Sequence, residues 1–143
     1  MNGSYGKAMK NSIIGILFSC AAAFSAMPAL AASPYDGQWE DSVSGRCHLT
    51  AETAADGGTR FEVRWADSAS DDNVWTFSGR WKKEKLEFSD CSHALESTDD
   101  QGKETVKVTY RSGKGTVSIR KGRLFWDNAA DNVCRDCSFE KVE

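Results

Sequence analysis

Thr59-Arg60-Phe61-Glu62-Val63-Arg64-Trp65-Ala66 sets Phe61, Val63 and Trp65 on one side of the chain and Arg60, Glu62 and Arg64 on the other. Side chains of an extended backbone alternate between two faces, so this spacing predicts a strand with one face in a core and the other in water. The same period runs outward in both directions. Upstream, residues 46–51 put Cys47, Leu49 and Ala51 on one face, residues 37–40 open the series, and Ala55-Asp56-Gly57-Gly58 reads as a turn, its aspartate and glycines tolerating a tight reversal. Downstream, the inward sets are Trp75, Phe77 and Trp81 in 74–81, Leu86 and Phe88 in 85–89, and Val106, Val108 and Tyr110 in 104–110. Val117 and Ile119 in 116–120, Leu124 and Trp126 in 123–127, and a closing stretch 137–142 complete the set. Gly79 marks a bend, residues 113–115 and Lys121-Gly122 read as turns, and the polar run 96–103 reads as a mobile loop.

Short strands at even spacing, with no helical period after Pro34, predict an all-β fold. Most connections are short enough to join adjacent antiparallel strands. The expectation is therefore a small up-and-down β-barrel of eight or nine strands. A β-sandwich is the alternative, with 96–103 as the crossover it would need.

The N-terminus carries Lys7 and Lys10, an apolar run from Ile13 to Phe24, and Ala29-Leu30-Ala31 as a small-x-small cleavage signal. These are the parts of a secretory signal peptide over residues 1–31, which predicts a periplasmic or secreted product. The alternative is lipidation at Cys20, for which Leu17 fits but the bulky Phe18 does not. Pro28 interrupts the apolar run, and no later stretch approaches the length of a membrane span. Cleavage after Ala31 leaves residues 32–143, 112 of the 143, enough for one domain. That product holds 16 basic against 21 acidic side chains, a balance that disfavours nucleic acid or an anionic membrane surface as partner.

Two resemblances follow from the motifs. Tyr35-Asp36-Gly37-Gln38-Trp39, Val63-Arg64-Trp65, Trp75-Thr76-Phe77-Ser78-Gly79, the glycine-flanked stretch 113–122, Leu124-Phe125-Trp126 and Phe139-Glu140-Lys141 together resemble small exported bacterial β domains of unknown function. That likeness spans almost all of 32–143 and implies no activity. The opening Gly37-Gln38-Trp39 and closing Phe139-Glu140-Lys141 are also loosely similar to the avidin barrel, without its ligand-facing tryptophans, so no biotin-binding residue is carried over.

Removing Cys20 leaves Cys47, Cys91, Cys134 and Cys137 in an oxidising compartment, where an even set reads as disulfides. Four cysteines allow three pairings, and the favoured one joins Cys47 to Cys91 and Cys134 to Cys137. A metal site is the alternative. Cys91 and His93 share a strand face, and Cys134 and Cys137 in Cys-x-x-Cys spacing would complete a tetrahedral set. A thioredoxin-like role does not fit, because that motif works at a helix N-terminus in a βαβ unit.

Trp39, Trp65, Trp75 and Trp126 are the candidate ligand-binding aromatics, with Trp39 as a rim contact and the other three inward. Phe125 falls on the outward face, between Leu124 and Trp126. The acidic groups 67–72 and 127–131 lack the spacing of a calcium loop and read as solvated surface. No nucleophile and base can be paired, since both histidines, His48 and His93, lie beside cysteines. The sequence thus points to a non-enzymatic exported binding protein without a cofactor, engaging an envelope protein. The alternative is a small-ligand carrier using an aromatic-lined barrel interior.

Overall fold

A computed structural model describes residues 32–135 and 137–143. The segment read as a signal peptide, with Cys20, lies outside the described residues. Nine antiparallel strands make up the described residues: β1 Gly37–Asp41, β2 Cys47–Thr53, β3 Thr59–Ala66, β4 Asp71–Gly79, β5 Trp81–Lys82, β6 Lys85–Thr98, β7 Glu104–Arg120, β8 Arg123–Asn128 and β9 Ser138–Lys141. Their order is β4-β3-β2-β1-β9-β8-β7-β6-β5, and a further β4–β6 pairing closes the sheet into a ring. Apart from β5, which pairs only with the start of β6, each strand pairs with its neighbours in the meander. The all-β, up-and-down reading holds.

The alternation of β3 explains its burial: Phe61 and Val63 are inaccessible while Arg60 is exposed. The ring's interior is an aromatic column. Phe77 lies 4.8 Å from Phe61, 4.1 Å from Phe88 and 6.1 Å from Trp126 between ring centroids, and Trp75 meets Trp126 edge-on at 5.3 Å. Leu49, Leu86, Val117, Leu124 and Phe139 fill the remainder. Trp75, Trp126, Phe61 and Phe139 are each under 2% exposed, so side chains occupy the ring's interior.

Three expectations are corrected. The polar run 96–103 is no long loop: β6 continues to Thr98, and a tight turn follows in which Asp99 Oδ1 accepts from the amides of Gln101 and Lys103. No crossover of the kind a sandwich needs lies there. Residues 113–115 are no turn but the middle of β7, which runs unbroken for 17 residues. Their glycines serve close approach, since a Cβ on Gly115 would stand 2.1 Å from Asp127 O and 2.4 Å from Phe88 Cζ. Val106 and Val108 do not face the core; they are 63% and 42% exposed. The physical reason is a β-bulge: the register passes from His93–Tyr110 to Ala94–Val108, so Thr109 is an extra residue on β7 and the valines before it turn to the outside of the ring.

Phe125 keeps its outward register, and the Arg120 guanidinium lies over its ring at 3.8 Å from the centroid. Lys121 and Gly122 form the β7–β8 turn with φ of 53° and 77°.

Candidate functional site

One end of the ring gathers the β1–β2, β3–β4, β6–β7 and β8–β9 connections. At this end the sheet parts between β7 and β8. The last bond joining that side is Ala129 N–H to Lys114 C=O at 2.8 Å, and beyond it residues 129–135 cross the gap. Asp131 fastens that segment. Its Oδ2 accepts from Trp75 Nε1 at 3.1 Å and from Tyr110 Oη at 2.9 Å, and its Oδ1 accepts from Val133 N at 3.2 Å. Asn128, 2% exposed, donates to Tyr110 Oη at 2.8 Å.

Register brings Trp75, His93 and Tyr110 into one row across β4, β6 and β7. The His93 ring lies 4.8 Å from Trp75 and 5.6 Å from Tyr110, its Nε2 meets Asn73 Oδ1 at 2.8 Å, and its Nδ1 meets Thr109 Oγ1. β-Bulges around His93 turn Thr109 toward it. Burial lowers the His93 pKa below its ordinary value, against an opposing pull from Asp131. Burial raises the Tyr110 phenol well above its usual range. Each of His93, Tyr110 and Asp131 has its polar atoms engaged by protein.

Beside the cluster lies an open recess of about 310 Å³ lined by Arg46, Trp65, Ala66, Asp67, Asn73, Trp75 and Val133. Trp65 presents a half-buried ring there. Trp75 and Trp126 are core, as the alternation implied. Trp39 is not a rim residue: it is 3% exposed, and its Nε1 donates to Tyr35 O at 3.0 Å.

Cys134 and Cys137 are joined by a disulfide that closes a small ring in the β8–β9 segment. Cys47 and Cys91 are free and inaccessible, not joined to each other as the favoured pairing had it. Cys47 lies on β2 opposite Trp65 of β3, and Cys91 lies on β6 opposite Gly113 of β7. Both thiols are pushed up to about 12, chiefly by burial, with Asp41 adding to it at Cys47 and Asp131 at Cys91. The metal alternative loses its ligands in this arrangement. Cys134 and Cys137 bond each other, His93 is held by Asn73 and Thr109, and among the described residues no three His, Cys, Asp or Glu side chains converge.

The sequence reading missed two features. Asp131 sits in an acidic run read as solvated surface, and only the fold reveals its two buried-side donors. The other is the free edge of β7. Residues 104–108 pair with β6 on one side, and among the described residues no strand pairs with them on the other. All five are exposed. In an antiparallel pair alternate residues turn N–H and C=O away from the partner, so this edge presents backbone groups open to another chain.

The fold and this end of the ring define an all-β, disulfide-containing meander with an open strand edge. Comparison with protein-family models, curated proteins and solved structures found no match.

Proposed function

We propose that this chain is an exported, non-catalytic interaction module that takes up a partner by strand addition at the free edge of β7. The carrying observation is that edge, with Val106 at 63% and Val108 at 42% exposure beside unpaired backbone groups. Support comes from the rest of the molecule. The interior is filled by Phe61, Phe77, Trp75 and Trp126, and the His93–Tyr110–Asp131 cluster is internally satisfied. A photo-reactive residue at position 106 tests the reading in the cell envelope. It should form adducts absent when the probe stands at Glu52, an exposed residue on the opposite part of the ring; identical adducts at both positions, or none at 106, would refute it.

A second reading is favoured by one observation, the recess carrying Arg46, Trp65 and Asn73. It moves a small ligand from the ring interior to its rim, where the Trp65 ring supplies an apolar face and Arg46 a cation. Quenching of tryptophan emission that disappears in Trp65→Phe would support it.

A further inference from the structure

Granting strand addition at β7, we infer that the occupant is an extended segment apolar on one face and acidic on the other, from a different chain and not a second copy of this one. The two sides of the edge differ in chemistry. On the outer side, register sets Val108 beside Ala94 and Val74, and Val106 beside Glu96 and Asp72. Arg64 gathers Glu62 at 2.8 Å, Glu96 at 3.0 Å and Asp72 at 3.6 Å on that side, so three carboxylates surround one guanidinium. A carboxylate added opposite Val106 would meet this surplus, whereas an apolar side chain extends the valine row.

The inner side is cationic. Lys107 stands in register with Leu95 and Asn73, and Lys103 follows by alternation through Thr105. Both lysines are exposed, and neither takes part in an ion pair among the described residues. Side chains directly opposite on paired strands lie about 5 Å apart, near enough for an acid on the incoming strand to pair with Lys107.

The same lysines work against self-association. A two-fold pairing of two such edges centred on Thr105 sets Lys103 against Lys107, and one centred on Lys107 sets that lysine against itself. Centring on Val106 avoids direct opposition but gathers four lysines on one face without an acid. Lysine on an edge is a recognised guard against like copies, and it leaves a complementary strand welcome.

The test uses residues 32–143 and three capped peptides. These are Thr-Val-Glu-Val-Glu-Val-Thr, its counterpart with both glutamates replaced by lysine, and the isomer Thr-Val-Val-Glu-Glu-Val-Thr. The alternating acidic peptide should bind roughly tenfold or more tightly than either control, weaken as salt rises, and slow amide exchange within 104–108. Lys107→Glu should reverse the preference between the acidic and lysine peptides. Equal binding of both, each with protection of 104–108, would overturn the acidic partner and leave strand addition standing. If no peptide protects 104–108, strand addition fails as well. Sedimentation of the protein alone as a dimer, with 104–108 already protected, would give the edge to a second copy and overturn the inference.

Discussion

Replacing Asp131 with alanine removes the only acceptor of the Trp75 indole N–H and of the Tyr110 hydroxyl among the described residues. Trp75 is 1% exposed, so leaving its N–H without a partner costs about 1–3 kcal/mol. Tyr110 is half-buried and keeps the Asn128 donor, so its loss is smaller, about 0.5–1.5 kcal/mol. The sum, about 1.5–4.5 kcal/mol, is a large share of the stability of a chain this size, and at several degrees per kcal/mol it lowers Tm by roughly 10 °C. Chemical denaturation of residues 32–143 measures it. Asp131→Asn retains an oxygen for both donors and should cost less than half as much. In a double-mutant cycle with Trp75→Phe, the two substitutions should be sub-additive, because each removes the same bond. An alanine variant within about 0.5 kcal/mol of the native chain would refute Asp131 as the anchor of the β8–β9 segment.

Four further outcomes follow. Cys47 and Cys91 should resist alkylation in the native protein, two thiols should label in denaturant, and four should label after reduction of residues 32–143; four thiols before reduction, or none, would contradict the cysteine assignment. His93 titrates below its unfolded value of 6.5, so the unfolded chain takes up its proton first; stability should be level above that pH and fall as pH drops from 6.5 to the lower folded value, and His93→Gln should flatten that slope. Phe77→Ala, at the centre of the aromatic column, should cost about 3–5 kcal/mol in denaturant titrations. Gly115→Ala should be destabilising by thermal melt, because its Cβ would meet the Asp127 carbonyl and the Phe88 ring with no room to yield.

The period-two pattern carried the fold because each face of a strand in a closed ring sees only core or only water. That is why 59–66 and 123–127 could be read directly, and why Trp75 and Trp126 fell inward. Alternation says that a strand has two faces, but a bulge exchanges them and carries no signal of its own. Val106 and Val108 look like Val117 and Ile119 in sequence; they differ because the extra residue at Thr109 turns them to the outside of the ring. Glycine has the same ambiguity. Gly122 turns the chain at φ 77°, while Gly115 sits mid-strand because Phe88 and Asp127 leave no space for a side chain.

The candidate site was legible in fragments. Adjacent Cys134 and Cys137 could close a local ring without knowledge of the fold, whereas any bond between Cys47 and Cys91 depended on which strands become neighbours. β2 and β6 do not. Trp39 was assigned to the rim from its place near the chain entrance, but β1 is central between β2 and β9 and carries it into the core. Asp131 gave no local signal of its anchoring role, since its two side-chain donors are 56 and 21 residues away in sequence.

Residue-resolved amide exchange across 104–108, with and without the alternating acidic peptide, tests the central claim most directly. In the isolated protein, amides turned toward β6 should exchange slowly and those turned outward fast, and the peptide should slow the outward set. Outward amides that are protected from the start, or that remain fast at saturating peptide, would contradict the assignment of this edge as the binding surface.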